Sequence, residues 1–277
     1  MKYSFGFILP LCISCSGISL VYANENSQLE SKDSQQYSPH HVVKTLSFQT
    51  DYIFRGMSYA RRRGAASFYV DYNHDNGLYL GTGIINLDKG SVYGNTIEID
   101  VYGGIAGQIT EDLRGSIGLF QWIFPQNKKV AGNSAFVTEL HAVLEYKPFT
   151  LKYAYSFTDW FGINTKSHGN QQFGNRVTGE GDTKGTDYIS LDYNKILPYY
   201  DLNFNFHIGR TKVKNYSIGD YTDIAIGLSK DFLINNKHQW SAGVSYITTD
   251  GNSDWYVDAD GYKMGNSKIF AFLRHTF

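Results

Sequence analysis

The chain has 277 residues, a formal net charge of −1, 18% charged residues and 2 cysteines, and its mean hydropathy is −0.33. That balance excludes a basic nucleic-acid binder, and nothing beyond the first residues approaches the roughly 20 consecutive apolar positions that a membrane-crossing helix needs. The 16% aromatic content, with 22 Tyr, 28 Gly and only 5 Pro, suits a β-rich chain with many rings at polar–apolar boundaries, as in membrane barrels.

The opening residues, MKYSFGFILPLCISCSGISLVYA, carry Lys2, an apolar run from Phe5 to Tyr22, and Val21 and Ala23 at signal-peptidase spacing. The expectation is an export signal over 1–23 that leaves with both Cys12 and Cys15. A lipidated Cys15 fits poorly, because Cys12-Ile13-Ser14 is not the small apolar lead such a cysteine requires. Residues 24–41 are polar and aperiodic and include Pro39, which reads as a flexible periplasmic lead-in. Residues 42–277 read as one domain.

Within that domain, alternation marks strands, and Gly, Asn, Asp or Pro marks turns. The predicted strands are 43–55, 65–73, 78–86, 96–105, 113–123, 135–146, 149–157, 186–193, 201–210, 222–229, 238–248 and 267–277. The seventh is the cleanest, with Phe149, Leu151, Tyr153, Tyr155 and Phe157 opposite Thr150, Lys152, Ala154 and Ser156. In the fifth, Ile117 and Leu119 share a face, but Phe120, Trp122 and Phe124 leave the phase ambiguous. Connections alternate strictly. The short set is 74–77, 106–112, 147–148, 194–200 and 230–237, and the long set is 56–64, 87–95, 124–134, 158–185, 211–221 and 249–266. Outer-membrane barrels have this sorting of short periplasmic turns and long external loops, with an even strand count. The expected fold is therefore all-β: an antiparallel transmembrane β-barrel of about 12 strands. With no water in hydrocarbon, such a sheet closes on itself and turns its apolar face to lipid.

In DYIFRGMS, Asp51 to Ser58, this logic puts Asp51 and Arg55 on the lumen face and Tyr52 and Phe54 on the lipid face. The provisional lumen face holds Asp51, Asp71, Glu98, Asp100, Glu139, Glu145 and Asp192 with Arg55, Lys152 and Arg274, and Tyr69 and His141 fall in phase with them. Two readings fit these residues: a pore lining that favours cations or polar solutes, or a salt-bridge network filling a narrow barrel. Arg61, Arg62 and Arg63 form an external basic loop, suited to lipopolysaccharide phosphates or to an anionic solute at the mouth. The 158–185 loop either folds inward as a constriction or stays mobile. Trp122, Phe124, Trp160, Phe161, Trp240 and Trp255 read as an interfacial girdle. Phe277, with Ile269, Ala271 and Leu273 in phase behind it, resembles the terminal signal that hands outer-membrane proteins to their assembly machinery; His275 departs from that pattern.

Chemical motifs are weak. Asp250-Gly251-Asn252-Ser253-Asp254 begins like a calcium loop, but Trp255 and Gly261 replace the required Gly and Glu. His40 and His41 lack a spaced metal-binding partner. His141, His207 and His275 sit beside no nucleophile motif, and Gly115-Ser116-Ile117-Gly118 is no nucleophile elbow. Gly81-Thr82-Gly83 lacks the third glycine of a dinucleotide site. The expectation is no enzyme, no metal and no cofactor.

The stretches Asp51 to Ser58, Tyr79-Leu80-Gly81-Thr82-Gly83 and Glu98-Ile99-Asp100-Val101-Tyr102-Gly103-Gly104 resemble conserved blocks of the TorF-type porin family of proteobacteria, a family of unknown function. The resemblance implies an outer-membrane barrel in a Gram-negative envelope and names no substrate. Arg61 to Arg63 depart from the family pattern. The expected function is a porin-like channel for passive diffusion of small polar solutes or ions, and the alternative is a closed adhesive barrel acting through its loops.

Overall fold

The computed structural model describes residues 38–126, 132–169, 172–173, 176–177, 179–235, 238–258 and 260–277. The segment read as an export signal, and the lead-in up to residue 37, lie outside them. Twelve antiparallel strands close into a barrel. In chain order these are β1 (His40–Gln49), β2 (Ala65–His74), β3 (Leu78–Asn86), β4 (Ile97–Gln108), β5 (Leu113–Ile123), β6 (Val137–Tyr146), β7 (Phe149–Ser156), β8 (Asp187–Leu197), β9 (Leu202–Lys212), β10 (Tyr221–Ile234), β11 (His238–Thr249) and β12 (Lys268–Thr276). Each pairs with its chain neighbour, and β1 pairs with β12 from Thr45↔Thr276 to Gln49↔Phe272 to close the ring. Among the described residues no helix is long and apolar enough to cross a membrane.

Period-two alternation decides which face looks where. On β7, Phe149, Leu151 and Tyr153 are 41–44% exposed, whereas Thr150, Lys152 and Ala154 are at most 5% exposed. The same inversion recurs in Ile224, Ile226 and Leu228 on β10 and in Ile269 and Leu273 on β12, all exposed. A water-soluble barrel would bury these residues. An outward apolar belt around a polar interior is the arrangement a bilayer demands.

Several boundaries differ from the sequence reading. β1 begins at His40, inside the expected lead-in. It ends at Gln49 rather than running to 55, because the chain turns inward at Thr50 and Asp51. β8 and β10 run on to Leu197 and Ile234, so the short turns are tighter than expected; alternation fades at these ends, but Leu233↔Gln239 and Ile234↔His238 still pair.

The seam between β1 and β12 is the shortest ladder in the ring, and backbone hydrogen bonds of Lys44 and Phe277 extend it: Lys44 N donates to Phe277 O at 2.9 Å and Phe277 N to Lys44 O at 3.0 Å. Lys44→Pro removes that donor, at a cost of about 0.5–1.5 kcal/mol. Thermal unfolding of the refolded barrel, followed by circular dichroism, is expected to fall for Lys44→Pro and to stay close to wild type for Lys44→Ala. Equal melting of the two variants would show that the seam does not limit barrel stability.

Candidate functional site

The segment after β1 does not continue the wall. It folds into the lumen as a small hairpin, with Ile53–Phe54 paired to Met57–Ser58 across Arg55 and Gly56. Both turn residues have positive φ, 46° and 77°, the type I′ geometry that fits the right-handed twist of hairpin strands. Gly at the second position suits that conformation. Arg at the first does not, and holding a non-glycine residue there costs about 1–2 kcal/mol. A Cβ on Gly56 would lie 2.7 Å from Asp223 Cβ and 2.5 Å from Thr249 Cγ2, so the turn is pressed against the β10–β11 wall.

The hairpin is fastened to strands all around the barrel. Tyr52 donates its hydroxyl to Glu98 on β4. Arg55 Nη2 meets Glu139 Oε2 on β6 at 2.6 Å, and its guanidinium carbon lies 4.2 Å from the Tyr188 ring centre on β8. Lys268 at the start of β12 donates to Gly56 O at 2.7 Å and to Met264 O at 2.9 Å. Asp51 accepts from Ala60 N at 3.2 Å. Burial pushes the Asp51 carboxyl upward, opposed by the Ser58 hydrogen bond and the charge of Lys268. Tyr52, Ile53, Phe54 and Met57 are at most 3% exposed, so the hairpin's apolar side chains are packed away from solvent.

Buried carboxylates line the wall behind the hairpin, and on β2–β4 they are met by tyrosines rather than by cations. Tyr69 donates to Asp100 at 2.6 Å and Tyr102 donates to Asp71. The YLGTG motif on β3 has a physical reason here: Cβ atoms on Gly81 and Gly83 would lie 2.2 Å from the Tyr102 and Tyr69 rings. Those glycines give the tyrosines room to lie flat and reach their acids. Across the lumen, His141 joins Glu139 at 2.7 Å, and His207 bridges Asp192 at 2.7 Å and Asp223 at 2.8 Å. Toward the short turns, Asp192, Asn194, Asn205, His207 and Ser245 border a small open recess of about 20 Å³.

The sequence-predicted site residues thus fall into three sets. Tyr69, Asp71, Glu98, Asp100, Glu139, His141 and Lys152 are buried on strand faces turned inward, and Asp192 is half-buried there. Arg274 is also half-buried, 5.1 Å from the Phe272 ring centre. Asp51 and Arg55 are inside the barrel but on the hairpin rather than on a strand, so Tyr52 and Phe54 face the core, not lipid. The basic loop is split. Arg62 and Arg63 reach the surface, whereas Arg61 is buried against Asp258, Asp260 and Asp88 and is not free to meet an external anion.

The girdle expectation also needs correction. Trp122, Phe124, Trp160 and Phe161 are inside the barrel mouth, at most 8% exposed. Trp160, Phe161 and Ile163 show that the start of the longest loop folds inward. Trp255 packs near Tyr216, with ring centres 6.0 Å apart, and Trp240 stacks on His275 at 4.5 Å on the outer face. Phe277 is 54% exposed beside that pair. Sequence reasoning missed Tyr188, His207, Asp223 and Lys268 as lumen residues, although phase alone places Tyr188 and His207 opposite apolar neighbours. Among the described residues no group of three or more metal-ligating side chains converges.

The Arg55–Glu139 contact joins two side chains that are 3% and 1% exposed. Removing one charge of such a pair strands the other, at about 3–5 kcal/mol. Glu139→Gln is expected to loosen the hairpin and open the Arg55–Gly56 bond to trypsin in the refolded protein, a bond protected in wild type by burial. Continued protection in a folded Glu139→Gln barrel would show that the ion pair does not hold the hairpin.

In structure, the chain is similar to the NanC porin (11% identity, 86% of this chain and 99% of that chain, TM-score 0.50). It also aligns with the KdgM porin (7% identity, 86% and 98%, TM-score 0.47) and with the outer-membrane protein OprD from Pseudomonas aeruginosa (11% identity, 77% and 59%, TM-score 0.37). No curated protein matches in sequence. The NanC likeness supports the closed-barrel fold of outer-membrane porins. The Gcw_chp model, described as a bacterial protein of unknown function, matches residues 33–277, and the chain belongs to that family.

Proposed function

We propose that the protein is an outer-membrane porin-like channel through which small polar solutes diffuse passively, with a preference for cations. One observation carries this reading: a closed barrel with an apolar outer belt encloses a polar interior in which acids outnumber bases. Asp51, Asp71, Glu98, Asp100, Glu139, Asp192 and Asp223 face Arg55, Lys152, Lys268 and His207. Rings of one charge sign set ion preference in channels. Lys152 makes no ion pair within 4 Å among the described residues.

The same reading places the chain in the outer membrane of a Gram-negative cell, delivered by a signal at 1–23 and inserted by the assembly machinery through the Phe277 strand. It agrees with the TorF-type resemblance. Arg62 and Arg63 would meet lipopolysaccharide phosphates. No enzymatic step, metal or cofactor is part of it. A second reading, a closed barrel acting through its external loops, is favoured by the hairpin and aromatic rings packed into the loop end.

Single-channel recording of the refolded protein in a planar bilayer separates the two. The channel reading expects discrete steps and a cation-leaning reversal potential that weakens in the Glu98→Gln, Asp100→Asn double variant. Gly56→Val, which cannot keep its φ of +77° or clear Asp223, is expected to enlarge the steps by displacing the hairpin. A folded, inserted barrel that passes no current in either wild type or Gly56→Val would establish the loop-presenting reading.

A further inference from the structure

We propose that the aromatic box around Arg55 is a binding site for small organic cations bearing a guanidinium or alkylammonium group, and that Arg55 occupies it as a built-in stand-in. The guanidinium carbon lies 4.2 Å from the Tyr188 ring centre, 4.9 Å from those of Phe54 and Trp160, and 6.0 Å from that of Trp122. Among the described residues Glu139 supplies the one carboxylate paired with Arg55, at 2.6 Å. Trp122, Glu139 and Tyr188 belong to the wall and Trp160 to the longest loop, so only Phe54 leaves with the hairpin. The receptor is thus separable from its resident.

The bonding inside the box is incomplete in the way a ligand site is. Arg55 Nε and Nη1, Glu139 Oε1 and Trp122 Nε1 are all buried without a hydrogen-bond partner among the described residues. A guanidinium retained for structure alone would be expected to use its planar fork in paired contacts, whereas this one makes a single side-chain hydrogen bond. The turn does not ask for it either, since a type I′ turn favours Asn, Asp or Gly at that position. The choice of arginine follows from what the side chain reaches.

Ring faces attract cations but cannot replace the tightly held water of small metal ions. Guanidinium and alkylammonium groups are weakly hydrated, so they gain the cation–π contact at little desolvation cost. Glu139 adds the charge that a neutral polar solute would not use. The chemical class is therefore organic cations, arriving by the lumen when the hairpin yields.

This inference rests on the channel reading only for the route to the box, and its test does not require current. Refolded protein in detergent is titrated with methylguanidinium and with tetramethylammonium, against potassium at equal ionic strength, following the fluorescence of Trp122 and Trp160. Arg55→Ala empties the box and, by breaking the ion pair, loosens the hairpin, which keeps its Lys268, Tyr52 and Asp51 contacts. The expected result is a saturable change for both organic ions and none for potassium, at least about tenfold tighter in Arg55→Ala than in wild type, and about tenfold weaker again when Trp160→Leu or Glu139→Gln is added. Arg55→Gln serves if the alanine variant does not refold, and the wild-type titration decides if neither does. No saturable change, or one equal for potassium or indifferent to Glu139 and Trp160, overturns the proposal. Conductance without this binding would remove the box and keep the channel; binding without conductance would do the reverse.

Discussion

Everything in this molecule depends on closing the ladder of backbone hydrogen bonds between β1 and β12. Inside a hydrocarbon layer an open sheet edge would leave a row of amides and carbonyls without partners, at several kcal/mol each. Closure fixes the even strand number with both ends of the described chain on the short-turn side. It also forces every strand to divide its side chains between lipid and lumen. The polar interior is a by-product of that division. What the protein does with that interior is decided by the segments that are free of the ladder.

The segment 51–58, with its hairpin at 53–58, is the clearest case. It brings a buried arginine, a buried tyrosine and a buried aspartate into a space already lined by carboxylates. The resulting charge problem is solved in two ways. On β2–β4, tyrosine hydroxyls donate to acids, which stabilises buried carboxylates without importing cations. On β6–β12, Arg55 pairs with Glu139, His207 bridges Asp192 and Asp223, and Lys268 donates to the carbonyls of Gly56 and Met264. The two walls therefore differ in kind: one is held by tyrosine hydroxyls and the other by nitrogen donors. A glycine strand, β3, makes the first solution possible, because its Gly81 and Gly83 leave the rings space.

The barrel was legible in the sequence because alternation is a one-dimensional signal, and Thr150 to Ser156 or Leu80 to Ile84 display it with no help from the rest of the chain. The hairpin was not legible for the same reason. A two-residue strand, a two-residue turn and another two-residue strand keep the period-two rhythm, so Asp51 to Ser58 looks like more of β1. The one local clue was Arg55-Gly56, a pair whose glycine permits a turn. Trp122 was misplaced at the interface although Ile117 and Leu119 on the same strand already fixed its phase inward. Arg61 read as a surface base because two of its partners, Asp258 and Asp260, lie 197 and 199 residues away in the chain; no local pattern reports a contact of that span.

The recess bordered by Asp192, Asn194, Asn205 and Ser245 opens on the short-turn side of a lumen whose loop side is packed with rings. The two ends of the lumen thus differ as surfaces: amide, hydroxyl and carboxylate groups border the turn side, whereas tightly packed rings fill the loop side and offer water little to bind.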